Sequence, residues 1–411
     1  EKVPVTVQKA ALTVKANDQS ITYGGSIQTG VGQVTAAPVN GDTLTAVTVS
    51  AAAANAGTYT DGITATGAKI GNNGTDVTAN YEISYGAGDL TISPLGITVT
   101  PNSGQSKEYG AADPTLTYTV TPDLIGNDKL TGALTYEGTD VGDYEITRGT
   151  LTAGNNYTLT VASGVKFTIT KLSLATAVVT LDNASFTYDG TAKTPAVTVK
   201  KGESTVDAGE YEISYSNTNG GAGNHASAGT VTVTVTAKAD GNYSGTNSTA
   251  AFTIDPKVLT PAIEGTTTKT YDGTTNAPAD LSIALTGAVD GDIVTATASY
   301  AYDNKNAGEG KVITASGITL GGASKANYTL STTSATTTGT ITKATVSITW
   351  GNTTQTVGYS GTQATITPPT VSAENGVTVN EAPKYSYAGH GSSKFTSGLP
   401  TNAGTYTVRA S

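Results

Sequence analysis

Residues 228–236 read AGTVTVTVT, and the alternation of Val231, Val233 and Val235 with Thr232, Thr234 and Thr236 decides the fold. Successive side chains of a strand point to opposite faces, so this pattern buries a valine face and leaves a threonine face in water. Leu116, Tyr118 and Val120 alternate in the same way with Thr117 and Thr119, as do Tyr211, Ile213 and Tyr215 with Glu212 and Ser214. No apolar face at helical spacing runs beyond about two turns. Gly, Asn, Asp and Pro punctuate the strands every 8 to 12 residues or so, the rhythm of sandwiches and barrels.

Working outward, Ala228-Gly229 belongs to a set of recurring anchors. Its counterparts are Ala56-Gly57, Val141-Gly142, Ala307-Gly308 and Ala403-Gly404, with Ala208-Gly209 a second match in the third copy. A Tyr-Gly turn precedes each, at Tyr23-Gly24, Tyr109-Gly110, Tyr188-Asp189-Gly190, Tyr271-Asp272-Gly273 and Tyr359-Ser360-Gly361, spaced 86, 79, 83 and 88 residues apart. An Asn-Tyr pair follows at Asn80-Tyr81, Asn156-Tyr157, Asn242-Tyr243 and Asn327-Tyr328. Closing strands come next, read as LTISP (90–94), FTITK (167–171), FTIDP (252–256) and GTITK (339–343). Self-similarity at one period is the mark of a repeat array.

The sequence therefore predicts an all-β chain of five small Ig-like β-sandwich repeats, at 10–94, 95–171, 172–256, 257–343 and 344–411. A β-grasp-like sheet is the alternative and requires a helix for which no pattern exists. Residues 1–9, EKVPVTVQK, read as the closing strand of a preceding repeat, and repeat 5 stops short of its Asn-Tyr and closing strands. That phase predicts a window from a longer array, with head-to-tail strand donation as the alternative. The repeats meet through Pro94-Leu95, Lys171-Leu172, Pro256-Lys257 and Lys343-Ala344, connections short enough to make the string semi-rigid.

Composition excludes several kinds of work. The 411 residues contain no Cys and two His, His225 and His390, so a disulfide framework, a thiol nucleophile and a multi-histidine metal site are out of reach. A formal charge of −10 is the wrong sign for nucleic acid or anionic lipid. Nothing approaches 18 consecutive apolar residues, so no membrane contact is expected.

Repeat 2 carries Gln105-Ser106-Lys107 before Tyr109-Gly110, Asp113-Pro114-Thr115-Leu116, Asp128 with 130–134 (LTGAL), Val141-Gly142-Asp143-Tyr144, Asn156-Tyr157 and 167–171. With these motifs it resembles the MBG (YGX-type) repeat of bacterial surface adhesins. Repeat 4 resembles the related YDG repeat through Lys269-Thr270-Tyr271-Asp272-Gly273-Thr274-Thr275, Asn306-Ala307-Gly308, Asn327-Tyr328 and Ile341-Thr342-Lys343. Repeat 3 is similar to repeats of Gram-positive surface proteins carrying Tyr188-Asp189-Gly190 with Lys193-Thr194-Pro195. Repeat 1 departs at Gly25, where an acidic turn is usual, and repeat 5 at Ser360. The resemblance implies an extracellular, cell-surface stalk or adhesin segment and brings no catalytic residues with it.

The anchor tyrosines are expected to pack beneath strand ends, with the glycines supplying positive φ. The acidic turns Asn127-Asp128, Asp290-Gly291-Asp292 and Asp303-Asn304 lack a calcium-binding loop pattern and read as hairpin turns. Asp189 and Asp272 recur too regularly for one active site, and His225 and His390 read as solvated loop residues. Lys9, Lys171 and Lys343 read as solvated ends of closing strands. No enzyme activity, metal or cofactor is expected. The expected partners are the neighbouring repeats of the array, with no nucleic acid. The competing reading, direct adhesion to a host or neighbouring-cell glycan or protein, falls on the loops around Trp350 and His390.

Overall fold

A computed structural model describes residues 2–362 and 365–411. It is all-β; helical turns among the described residues are three-residue 3-10 segments such as Thr78–Asn80 and Lys325–Asn327. No helix therefore exists to complete a β-grasp arrangement among these residues.

Repeats 1 to 4 share one strand plan, and the registers coincide. The opening strands Ala10–Ala16, Leu95–Pro101, Leu172–Ser173 and Lys257–Glu264 each run parallel to the strand begun by the Asn-Tyr pair. Their first residues face Tyr81, Tyr157, Tyr243 and Tyr328. In a second sheet the closing strands Gly88–Ser93, Lys166–Thr170, Thr246–Asp255 and Ser334–Thr342 lie between two neighbours. One is the short strand before the Tyr-Gly turn, which is parallel. The other starts at the small-residue glycine and is antiparallel. Gly57, Gly142, Gly229 and Gly308 face Ile92, Ile169, Ile254 and Ile341. The closing strand then caps the turn: Ser93, Thr170, Asp255 and Thr342 accept from the backbone N–H of Tyr23, Tyr109, Tyr188 and Tyr271 at 2.8–2.9 Å.

The inward faces of the two sheets meet in a buried core in repeats 1 and 2, and in repeats 3 and 4 one cluster runs across the boundary between them. In repeat 1, Leu12 and Val14 of the first sheet pack with Ile63, Ile70, Leu90 and Ile92 of the second. In repeat 2, Val99 packs with Leu134, Ile146, Leu151, Phe167 and Ile169. Val231 and Val233 are fully buried with Phe252 and Ile254, so the alternation at 231–236 gives the face correctly.

Contacts divide the chain into two compact units: residues 1–176, 208–211 and 237–245 form one, and 177–207, 212–236 and 246–411 the other. The division passes through repeat 3 and leaves its Asn242-Tyr243 end with repeats 1 and 2. Residues 2–9 form no strand, and Val3, Val5 and Val7 are 79–89% exposed. Alternating valines need a ladder partner, and none of the described residues supplies one. Glu1 lies outside the described residues. Repeat 5 holds two antiparallel ladders, Val346–Thr349 with Thr370–Ala373 and Tyr385–Gly389 with Tyr406–Ala410.

Phe167 has no exposed surface and stacks on Tyr136 at 4.1 Å between centroids. Phe167→Ala should cost about 3–5 kcal/mol by chemical denaturation, whereas Val178→Ala, at a 59% exposed position, should be nearly neutral.

Candidate functional site

The anchors meet where one repeat abuts the next. In the first unit, the Tyr23 ring stands edge-to-face on Tyr157 of repeat 2, centroids 5.4 Å apart at 76°. Both hydroxyls donate to the same carboxylate oxygen, Asp128 Oδ2, at 2.9 and 2.8 Å. Tyr157 Oη also accepts from the Ile125 N–H at 2.8 Å, so the acidic turn is held at two points. Beside this latch, Asn156 Oδ1 accepts from the Ala56 N–H at 2.9 Å, and its amide donates to Asn55 Oδ1 at 3.1 Å.

The second unit repeats the arrangement between repeats 3 and 4. Tyr188 and Tyr328 cross at 5.5 Å and 81°, and both donate to Asp292 Oδ2. Val289 N–H donates to Tyr328 Oη at 2.9 Å, and Asn327 Oδ1 accepts from Ala228 N–H at 2.9 Å. Between repeats 2 and 3, within the first unit, Tyr109 crosses Tyr243 at 5.5 Å, and Asn242 takes the Val141 N–H and reaches Asp140. Here Glu210 stands in for the aspartate and binds Asn242 through its N–H and amide rather than through a tyrosine.

Three consequences follow for the residues singled out by sequence. The anchor tyrosines serve the neighbouring repeat as well as their own strand ends. The glycines of the turns do take positive φ, 75–83° at Gly24, Gly110, Gly190, Gly273 and Gly361. At Gly24 and Gly190 close approach adds a second requirement, because a Cβ would lie 2.8 Å from Ile125 Cδ1 and 2.9 Å from Val289 Cγ1. Asp128 and Asp292 are latch acceptors as well as hairpin-turn residues. Asp189 and Asp272 instead shape their own turns, accepting from Thr191 and Thr274 and pairing with Lys193 at 2.6 Å and Lys269 at 2.8 Å. Burial works to raise the Asp272 pKa, yet Lys269 and Thr274 overcome it and hold it at about 2.

The remaining candidates lie elsewhere. His225 is half-buried, not solvated, with its ring 4.5 Å from Tyr215 and Nδ1 at 3.1 Å from Gly223 O. Lys171 is likewise half-buried and donates to Ala239 O at 2.5 Å. Trp350 and His390 line one cavity of about 890 Å³ in repeat 5, together with Tyr359, Tyr387 and Tyr406. No cluster of His, Asp and Glu suited to a metal occurs among the described residues, and none of their helices is long and apolar enough to cross a membrane.

One strand register joined by one recurring latch defines a tandem-repeat β-protein. Family models resolve the repeats further: the chain carries MBG domains (YGX type) at residues 12–91 and 97–168 and a YDG domain at 255–338. The MBG match thus includes repeat 1 despite Gly25, whose N–H bonds Thr22 O at 2.8 Å to close the turn without an acid. No curated protein matches the chain. Among solved structures, the protocadherin GammaB4 extracellular domain aligns at 10% identity over 92% of this chain and 75% of its own, with a TM-score of 0.24. Domains 4–9 of surface layer protein SbsC align at 14% identity over 92% and 71%, with a TM-score of 0.18.

The latch has a pH signature. Burial, then the Asp292 carboxylate, push the Tyr188 pKa from 10.0 up to about 12. A tyrosine raised in this way stabilises the fold fully below pH 10 and loses that contribution as pH rises through 12. Tyr188→Phe should therefore cost roughly 1–3 kcal/mol at pH 7. The difference from the parent should shrink toward zero as urea titrations are carried from pH 10 to pH 12.

Proposed function

We propose that the chain is an extracellular segment of a bacterial surface adhesin and acts as a semi-rigid spacer. The observation that carries this reading is the continuity of the core across a repeat boundary. Tyr188, Val231 and Phe252 of repeat 3 share one buried cluster with Leu259 and Tyr328 of repeat 4. A boundary filled in this way resists bending, because tilting one repeat on the next would open apolar surface and break the latch. The two domain families are not enzyme families, and the acids at the junctions are engaged by tyrosine and asparagine, so no catalytic role is assigned. X-ray scattering in solution tests the spacer. A spacer on the order of 150–200 Å in length should give a radius of gyration of about 45–60 Å. A value near about 22 Å, that of a compact globule of this size, would overturn it.

The aromatic cavity of repeat 5 supports a second reading, direct adhesion, because Trp350, Tyr359, Tyr387 and Tyr406 are collected around one opening with His390. Aromatic faces in a polar-rimmed cavity suit a sugar ring. A glycan array should then show hits that Trp350→Ala removes; an array without hits leaves the spacer role alone.

A further inference from the structure

The outer edge of the sheet that holds the closing strand differs from repeat to repeat. An edge strand offers unpaired N–H and C=O groups to another strand, and proteins blunt it with charge, with a bulge or with a cover. In repeat 2 the sheet ends at Gly142–Glu145, four residues that include Asp143 and Glu145. In repeat 3 the strand Tyr211–Asn217 carries Glu212 and is covered at its far end by Gly221–Ala222. In repeat 1 the last strand, Thr43–Ala51, has Thr45 as an extra residue between Leu44 and Ala46, which face the consecutive Ile70 and Lys69. Such a bulge bends the edge.

Repeat 4 has none of these devices on its edge strand. Its sheet ends at Thr295–Tyr302, TATASYAY, eight residues without a charge or a proline. The irregularity of this ladder lies on the inner strand, where Gly317, at a φ of 66°, and Ile318 stand opposite Ala298, so the edge strand itself runs unbroken. One end is stopped: Asn276 bridges Ala301, and Thr275 O accepts from Tyr302 N–H at 2.8 Å. By the alternation of an antiparallel strand, the backbone groups of Ala296, Ala298 and Tyr300 point the same way as Tyr302 N–H. No described residue pairs with them on that side. Repeat 4 is an interior repeat, with others before and after it, so the open edge belongs to the repeat itself.

The strand is also its own complement. Ala296, Ala298 and Tyr300 are half-buried on the core side, and Thr295, Thr297 and Ser299 are exposed on the other. A partner that preserves both faces must bring small or apolar residues inward and hydroxyls outward. It must also bring no negative charge, because the chain carries −10 and like charges across a ladder repel. A second copy of the strand meets each condition.

We propose that Thr295–Tyr300 pairs antiparallel with the same strand of a second copy of this chain, about a two-fold axis at Thr297. Ala296 exchanges backbone bonds with Ala298 of the other copy, Thr297 faces Thr297, and two four-stranded sheets become one. The ladder stops short of Asn276. The contact is isologous and closes at a dimer. It rests on the edge of repeat 4 and holds whether or not the chain serves as a spacer.

Sedimentation velocity on the full chain over a range of concentrations tests it. Association should rise with concentration and stop at the dimer. Thr297→Asp and Thr297→Lys each put like charges on the axis and should weaken the dimer roughly fivefold or more. Thr297 is exposed, so both variants keep the fold, which circular dichroism checks. Mixed in equal amounts, they bring opposite charges together and should recover the dimer. The chain has no cysteine, so Thr297→Cys should give a disulfide-linked dimer under mild oxidation. Ser299→Cys, separated from its own copy by about 13 Å along the ladder, should not. A chain that stays monomeric overturns the proposal. So does a dimer indifferent to both charges, a mixture that does not recover, or cross-linking at position 299 in place of 297.

Discussion

A single carboxylate oxygen shared by two tyrosine hydroxyls is the interaction on which the architecture turns. Asp128 and Asp292 each bind one tyrosine from their own repeat and one from the repeat before. Hydrogen bonds to a charged acceptor are among the stronger ones a protein makes. Placed over an edge-to-face aromatic pair, they are also shielded from competing water. The acid gains as well: the hydroxyls of Tyr328 and Tyr188 hold the Asp292 carboxyl below its ordinary range against the opposing effect of burial. The negative charge is therefore kept at neutral pH in a place where an unpaired one would be costly. The adjacent asparagine fixes the angle between repeats, because it must satisfy a backbone N–H and a side-chain oxygen at once.

The junctions are variations on this theme rather than copies. Repeats 2 and 3 keep the aromatic pair and the asparagine but exchange the aspartate for Glu210, whose longer side chain bonds Asn242 from behind. Between repeats 4 and 5, Asn375 donates to Tyr271 O at 3.3 Å. A cavity of about 320 Å³ lined by Tyr271, Ala307 and Val346 lies where the other junctions hold tyrosine. The all-β class survives these exchanges because each strand plan is set within its repeat, whereas the latch chemistry varies from one boundary to the next.

Much of this was legible in the sequence. Period-two runs such as 231–236 report which face is buried, since a strand of either direction has the same alternation. For the same reason they could not report that opening and Asn-Tyr strands run parallel, a feature set by chain crossover rather than side-chain pattern. The anchors were visible as a period, but their partners were not. Tyr23 touches Tyr157, not Tyr81, and a repeat with equivalent residues in every copy gives no local sign of whether a pair closes within a copy or between two. Asp128 looked like any hairpin acid because its acceptor role depends on a tyrosine 105 residues away. His225 was misplaced because glycine-rich flanks suggest exposure, while its ring meets Tyr215 only where the chain folds back on the strand Tyr211–Asn217.

The parallel strand pairs have a mechanical meaning. A tension applied along the polypeptide enters each repeat at the start of its opening strand and leaves at the end of its closing strand. The opening strand leads on to the strand before the Tyr-Gly turn, in repeat 3 through an intervening strand Val178–Leu181, and that strand lies parallel to the closing strand in repeats 1 to 4. Pulling therefore slides these two strands along one another instead of peeling them apart. In that geometry the ladder bonds share the load and must fail together rather than one at a time.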